Sequence, residues 1–325
     1  MEVINDLKDC TPIPDGVISV GTFDGIHLAH QKIIQRVTEQ AKDLNVPSTI
    51  VTFEPHPRLV VNQGDGQPVW ILTTIEEKIT IFRELGIDRV VIIPFTQEFS
   101  QTSPESFVTD VLCRTIGMQK LIIGHSHGFG RNRAGNIDFL CQIEKGCNFE
   151  VINQEPISNH WGIISSSRIR EFVLQGEINK VSECLGRPYH LAGIVVPGDG
   201  IGHKLNYPTA NVQLSHPNKC IPANGVYIVR VGINGAQYNG VMNIGIKPTF
   251  GKNARSLEVN ILDFVNDIYN MQIEIYFLER IRGEKKFDSP ELLQQHVDAD
   301  VESARNYFLH NPAEQDKESS KLHDS

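Results

Sequence analysis

Apolar and polar positions follow two different textures along this chain. In the first half, short apolar runs, "VISVGTF", "STIVTF", "RVVIIPF", "KLIIGH" and "FEVIN", read as buried strands. Between them lie "AHQKIIQRVTEQAKDL", "TIEEKITIFRELG" and "SPESFVTDVLCRTIG", which read as helices. In the second of these, Ile75, Ile79, Phe82 and Leu85 keep the three-four spacing of one apolar helical face. In the third, Ser103 is placed to cap the helix and Pro104 takes its first position, where a missing N–H costs nothing. Strands alternating with helices predict a parallel sheet covered on both faces, with ligands beyond the carboxyl ends of its strands.

After "SSSRIREFVLQGEINKVSECLGRP" the texture changes. "YHLAGIVV", "GVYIVRVGI", "AQYNGVMNIG", "SLEVNILDF" and "MQIEIYFLERI" are strand-like and are separated by glycine- and asparagine-rich turns. One helical pattern follows, "SPELLQQHVDADVESARNYF", again opened by a serine and a proline. This order predicts a small antiparallel β-barrel with a trailing helix. The expected division is therefore an α/β domain over 1–185, a barrel domain over 186–310, and a polar tail, 311–325, expected to be disordered.

Composition narrows the classes. At 325 residues two domains are expected, and 40% apolar residues suffice for packed cores. No long apolar run implies a membrane span, and "MEVINDLKDC" lacks the basic-then-apolar order of a secretory signal, so a cytoplasmic protein is expected. The six cysteines form no C-x-x-C pair and are expected to be reduced and mostly buried. Thirty Lys and Arg against 39 Asp and Glu, a formal charge of -9, argue against broad nucleic-acid binding while permitting local basic pockets for nucleotides. Nothing in the sequence indicates the oligomeric state.

The candidate chemistry begins at "GTFDGIHLAH", where a strand hands over to a helix. Gly21 and Gly25 let backbone approach a ligand, and a helix beginning near Leu28 offers unpaired N–H groups to an anion. His27 and His30 lie about one turn apart, so both can reach the same anion. A zinc site is disfavoured, because no third ligand or H-E-x-x-H spacing accompanies them. Alone, the motif reads rather as an ordinary strand–helix turn. Further along, "ISSSRIR" groups Ser166, Ser167 and Arg170 at a helix start, a second anion site. Two such cradles at the strand ends of one sheet suit a triphosphate held from both sides. In the second half, "GDGIGHKLNYPTANV" sets a glycine-rich loop before Thr209 and Asn211, a pattern suited to phosphate wrapping and oxygen ligation of Mg²⁺. Glu258 lies in a strand pattern on the face opposite Leu257 and Val259, and alone reads as a solvated carboxylate; beside "PTAN" it becomes a candidate base.

These motifs, with "TFEPHPR", "LGRPYHLAGIV", "GVYIV", "IGIKPTF" and "ERIRGEKKF", occur in an order that resembles the bifunctional bacterial riboflavin kinase/FMN adenylyltransferase (FAD synthetase) family from about Val17 to Phe308. The resemblance implies a nucleotidyltransferase-like first domain and a riboflavin kinase barrel. It implies that riboflavin and ATP give FMN, and that FMN and ATP then give FAD and pyrophosphate. His27 and His30 would contact the ATP phosphates, with Gly21, Phe23, Asp24, Gly25, Ser126, Ser166, Ser167 and Arg170 around the nucleotide. Gly198, Gly202 and Lys204 would wrap ATP in the kinase half. Thr209 and Asn211 would hold Mg²⁺, and Glu258 would take the ribityl hydroxyl proton. Where the family usually has H-x-G-H this chain has Ala29; Ser126-His127-Gly128 also departs from the usual residues, as do Asn206, Asn260, Asn266 and Asn270. Two other readings are a riboflavin kinase with a structural first domain, and a non-catalytic flavin- or nucleotide-binding regulator.

Overall fold

The computed structural model describes residues 1–61, 68–124, 128–130, 135–144, 148–198, 207–249 and 252–311 of the chain. They form two compact units: residues 1–170 with 184–186 and 218–220, and residues 171–183 with 187–217 and everything from 221 onward. Of the tail expected to be disordered, 311–325, Asn311 is described, its N–H donating to the Tyr307 carbonyl at 2.9 Å, and 312–325 lie outside the described residues.

The first unit carries a six-stranded sheet in the order β1-β4-β3-β2-β5-β6, parallel throughout. Its strands are β1 (Glu2–Ile4), β2 (Gly16–Val20), β3 (Ser48–Glu54), β4 (Arg89–Pro94), β5 (Met118–Gly124) and β6 (Glu150–Gln154). The five predicted apolar runs are β2 to β6; β1, read as polar terminus, is an additional edge strand. The helices are α1 (Leu28–Leu44), α2 (Pro57–Val61), α3 (Ile75–Glu84), α4 (Pro104–Ser106, continued by a wider helix over Phe107–Ile116) and α5 (Ile137–Glu144). Both faces of the sheet are covered. On one, Ile33, Ile34 and Val37 of α1 pack with Ile81 and Phe82 of α3 over Val17 and Ile50. On the other, Phe107, Val108, Leu112 and Ile116 pack over Ile18 and Val51. Strands buried on both faces read as unbroken apolar runs, which is why they were legible. Strand order reverses at β2 and β5, so "GTFDGIHLAH" leaves the sheet at its topological switch point, where open α/β sheets bind ligands.

The caps follow prediction: the Ser103 hydroxyl accepts from the Ser106 N–H at 3.1 Å, with Pro104 next in line. The apolar face assigned to α3 packs as predicted: Phe82 lies in the core cluster and Ile75, Ile79 and Leu85 pack against it, partly buried. Glu77 and Lys78 are buried in addition, which the spacing does not announce. Both have polar work inside the fold, described below. Of the described cysteines only Cys184 and Cys220 are buried, fewer than expected.

After β6 come two short antiparallel strands, β7 (Ser158–Asn159) and β8 (Gly162–Ile163). In the second unit, β9 (Tyr189–Val196), β10 (Ala210–Leu214), β11 (Gly225–Ile233), β12 (Ala236–Thr249), β13 (Lys252–Ile261) and β14 (Gln272–Gly283) close an antiparallel barrel in the order β10-β13-β12-β11-β14-β9. On β11, Tyr227, Val229 and Val231 are buried on one side, while Val226 and Ile228 pack on the other against Val301 and Ala304 of the trailing helix. That helix, Pro290–His310, starts at a Ser289 cap whose hydroxyl accepts from the Leu292 N–H at 3.3 Å. Asn270, one of the asparagines standing where glycines are common, adopts φ 62°, a left-handed geometry asparagine tolerates. Among the described residues no helix is long and apolar enough to cross a membrane.

Candidate functional site

The first candidate site grows from a turn that only glycine-like backbone can make. After β2 the chain takes positive φ at Phe23 (47°), Gly25 (87°) and Ile26 (38°) before α1 begins at Leu28. Such geometry is disfavoured for L-residues and needs support. Asp24 supplies it. Its carboxylate is fully buried; Oδ1 accepts from the N–H groups of Leu72 (2.8 Å) and Thr73 (3.0 Å), and Oδ2 accepts from Arg170 (3.1 Å). The Thr73 hydroxyl accepts from the Gly25 N–H at 2.9 Å, and the Ser166 hydroxyl donates to the Asp24 carbonyl at 2.8 Å. Asp24 and Ser166 therefore tie "GTFDG" to "SSSRIR", bringing both predicted anion cradles together. The carboxylate of Asp24 faces this scaffold, so its part is to shape the loop.

His27 is the N-cap residue of α1, and its side chain makes no capping bond to the helix. No acidic residue occupies the first turn of α1, so nothing there repels an anion. The His27 and His30 rings are stacked, 3.7 Å between centroids and 17° between planes, and Phe23 meets His30 edge-on at 5.3 Å. Phe23 is itself buried against Phe82 at 5.6 Å, so a core contact sets the ring that backs His30. Ser167 is exposed, and its hydroxyl lies 3.5 Å from Arg170 Nη1. Ser126 lies outside the described residues.

Two buried groups near Asp24 escaped the sequence reading. Burial pushes the Asp24 carboxyl up, but its interactions with His56, Arg170 and Lys78 and the Thr73 amide bond outweigh it and hold the group below the usual carboxylate range. Burial pushes the His56 imidazole down to about 4, against the opposing pull of Asp24. His56 is thus neutral at pH 7, and its Nδ1 accepts from the Arg58 N–H at 3.2 Å. Lys78, likewise buried, has its ammonium pushed down by burial and held up chiefly by Asp24. Arg170, in a 3.1 Å ion pair, is the cation in direct contact with the Asp24 carboxylate. A helix-periodic pattern gives no sign that Lys78 turns inward, and "TFEPHPR" at the end of β3 contains His56 without assigning it a role.

The second candidate site is on the barrel. Antiparallel pairing sets Asn211 of β10 directly opposite Glu258 of β13, and Glu258 opposite Asn243 of β12. Directly opposed residues share a face, so these three side chains form one polar row. Leu257 and Val259 are buried on the other face, as the alternation predicts. The neighbouring row on the polar face, Asn260 and Val241, is buried, and Val241 packs in the cluster with the trailing helix. The Asn260 amide donates to the Pro208 carbonyl at 2.8 Å, fixing the backbone next to Thr209. Gly198, at the start of the glycine-rich loop, lies so close to Asn211 that a Cβ there would come within 1.9 Å of its Nδ2. Gly202 and Lys204 lie outside the described residues. Among the described residues no group of three His, Cys, Asp or Glu side chains is placed to cage a metal. The oxygen donors of Thr209, Asn211 and Glu258 fit Mg²⁺, which keeps most of its ligands as water and substrate phosphate and needs few from protein.

Known proteins resemble both halves. The FAD synthetase family model matches residues 11–168 and the riboflavin kinase model matches residues 185–308. The chain is 36% identical over 314 residues to the bifunctional riboflavin kinase/FMN adenylyltransferase of Buchnera aphidicola subsp. Schizaphis graminum, covering 95% of this chain and 99% of that one. It is 34% identical over 307 residues to the protein of that name from Pseudomonas fluorescens, covering 94% and 97%. The protein of that name from Bacillus subtilis is 33% identical over 298 residues, covering 90% and 92%. Among solved structures, one described as a macrolide-efflux protein from Streptococcus pneumoniae superposes with a TM-score of 0.83 at 29% identity, covering 94% of this chain and 98% of that one. Sheet, barrel, both polar sites and near full-length relatives agree: the chain belongs to the bifunctional riboflavin kinase/FMN adenylyltransferase family.

Proposed function

We propose that the barrel site phosphorylates riboflavin to FMN with ATP, and that the sheet site adenylylates FMN to FAD with release of pyrophosphate. The observation that carries the first assignment is the Asn211–Glu258 pairing, which sets a carboxylate beside an amide on one strand face. Glu258 accepts the proton of the ribityl 5′-hydroxyl as its oxygen attacks the γ-phosphorus and ADP leaves. Thr209 and Asn211 hold the Mg²⁺ that accompanies ATP; that ion neutralises phosphate charge. Gly198 keeps the loop backbone against Asn211, and Asn260 fixes Pro208, so the two ligands keep their places. Such transfers rest on positioning and charge stabilisation, without a covalent enzyme intermediate.

In the sheet site, an FMN phosphate oxygen attacks the α-phosphorus of ATP and pyrophosphate leaves. His27, His30 and the first amides of α1 meet the phosphates, and Ser167 and Arg170 meet them from the facing helix. Gly21 and Gly25 allow the close backbone approach, while Phe23, Asp24 and Ser166 hold the turn in shape. The two family matches, 11–168 and 185–308, support assigning adenylyl transfer to the first half and phosphorylation to the second. The reactions belong in the cytoplasm, where riboflavin and ATP are supplied.

The purified full chain, incubated with riboflavin, ATP and Mg²⁺ and its flavins separated by chromatography, is expected to yield FMN and then FAD. FMN without FAD would reduce the first half to a structural domain. Neither product would overturn the reading.

A further inference from the structure

Lys219 lies inside the riboflavin kinase match, 185–308, yet residues Asn218–Cys220 cluster with the first compact unit. There Lys219 pairs in a parallel bridge with Ile71. The Ile71 N–H donates to the Asn218 carbonyl at 2.9 Å, and the Cys220 N–H donates to the Ile71 carbonyl at 2.8 Å. The Asn218 amide donates to the Val69 carbonyl at 3.2 Å. The Lys219 ammonium, buried at 2% exposure, donates to the Leu72 carbonyl at 2.7 Å and to the Glu77 carboxylate. Glu77 in turn accepts from the Thr74 N–H at 3.0 Å, closing the capping box of α3.

Leu72 is therefore gripped from both sides: Lys219 holds its carbonyl and Asp24 holds its N–H. The next residue, Thr73, holds Asp24 and the Gly25 amide. Asp24 holds Arg170. A displaced Leu72–Thr73 segment moves the carboxylate that aims Arg170 and the turn that presents His27. A buried ion pair adds little net stability over an apolar replacement, and its best-attested use is to fix one arrangement.

We infer that Lys219 is a positioning residue for adenylyl transfer, contributed by the part of the sequence that otherwise encodes the kinase. It acts through Leu72 and Asp24 on the arginine and the phosphate-facing turn. The inference rests on the proposed assignment of FAD formation to that turn.

The test uses the full chain with two substitutions, Lys219→Arg and the pair Lys219→Met with Glu77→Gln, the latter leaving no buried charge unpaired. Each half-reaction is measured separately with ATP varied, and His27→Ala/His30→Ala is assayed alongside. The double substitution is expected to raise the KM for ATP in FAD formation and to lower kcat/KM about tenfold or more, as loss of positioning does, while FMN formation stays within about twofold. Lys219→Arg, which keeps the charge but alters its reach, is expected to fall between. An unchanged KM for ATP in FAD formation would overturn the inference. Should the double variant fail to fold, Lys219→Arg decides alone on the same criterion. Retained FAD formation in the histidine variant would instead sink the site assignment, so the two failures are distinguishable.

Discussion

Asn211 and Glu258 stand directly opposite each other on β10 and β13, with side chains on one face of the barrel, although the sequence separates them widely. In the proposed kinase step this brings a phosphate-side ligand next to the proton acceptor. Glu258→Ala is expected to lower riboflavin phosphorylation by a factor of about 10² to 10⁴, the usual contribution of a general base, while FMN is still converted to FAD. Separate assays of the two half-reactions check this. Equal loss of both in a folded variant would refute the division of labour.

Gly198→Ala tests the close contact with Asn211. The added Cβ would lie 1.9 Å from Asn211 Nδ2, the end of a side chain that can swing away. The melting temperature is therefore expected to change little, whereas the KM for Mg²⁺–ATP in FMN formation rises. Steady-state kinetics beside a thermal melt separate the two effects. A KM equal to wild type would show that Asn211 need not hold its place.

Replacing His27 and His30 together by alanine is expected to remove FAD formation and leave riboflavin phosphorylation intact. The stacked rings, 3.7 Å apart, back one another, so either single substitution is expected to cost nearly as much as both. Rates of FAD formation from FMN in the three variants give the answer. Additive single losses would show that the rings act independently.

His56 predicts a pH dependence of stability. Its imidazole titrates near 4 in the fold against 6.5 when unperturbed, so between those values the unfolded chain binds the proton and the native chain does not. Stability is present above about 6.5 and is lost as pH falls towards 4, by at most about 3 kcal/mol at 1.36 kcal/mol per unit. The depressed Asp24 carboxyl adds a loss at still lower pH, as it is protonated in turn. In melts over this range, wild type is expected to lose stability relative to His56→Gln as pH falls from about 6.5 to 4. Parallel curves would contradict it.

Much of this was legible because burial writes itself into the pattern. The strands β2 to β4, buried on both faces, showed as apolar runs, and the alternation in "SLEVNIL" fixed the face of Glu258 before any register was known. Registers were not legible: nothing local in "PTAN" says that β10 starts there or that Asn211 meets Glu258. Nor was the inward turn of Glu77 and Lys78. Their partners, Lys219 for one and the Asp24 surroundings for the other, come from distant segments, so burial beside the apolar face of α3 leaves no local signal. Asp24 was singled out for the nucleotide, but only its hydrogen bonds reveal it as the keystone of the turn.

Helix α1 begins at a residue whose side chain does not cap it, with no acidic group in the first turn. An ordinary serine or aspartate cap is worth about 1 kcal/mol, so this start forgoes that stability. With a triphosphate as its cap, the missing bonds come from the substrate, and ligand at a hundred times its dissociation constant returns about 2.7 kcal/mol. In the proposed assignment, nucleotide binding is therefore expected to slow amide exchange at Leu28 to His30, which makes these amides a gauge of ATP occupancy.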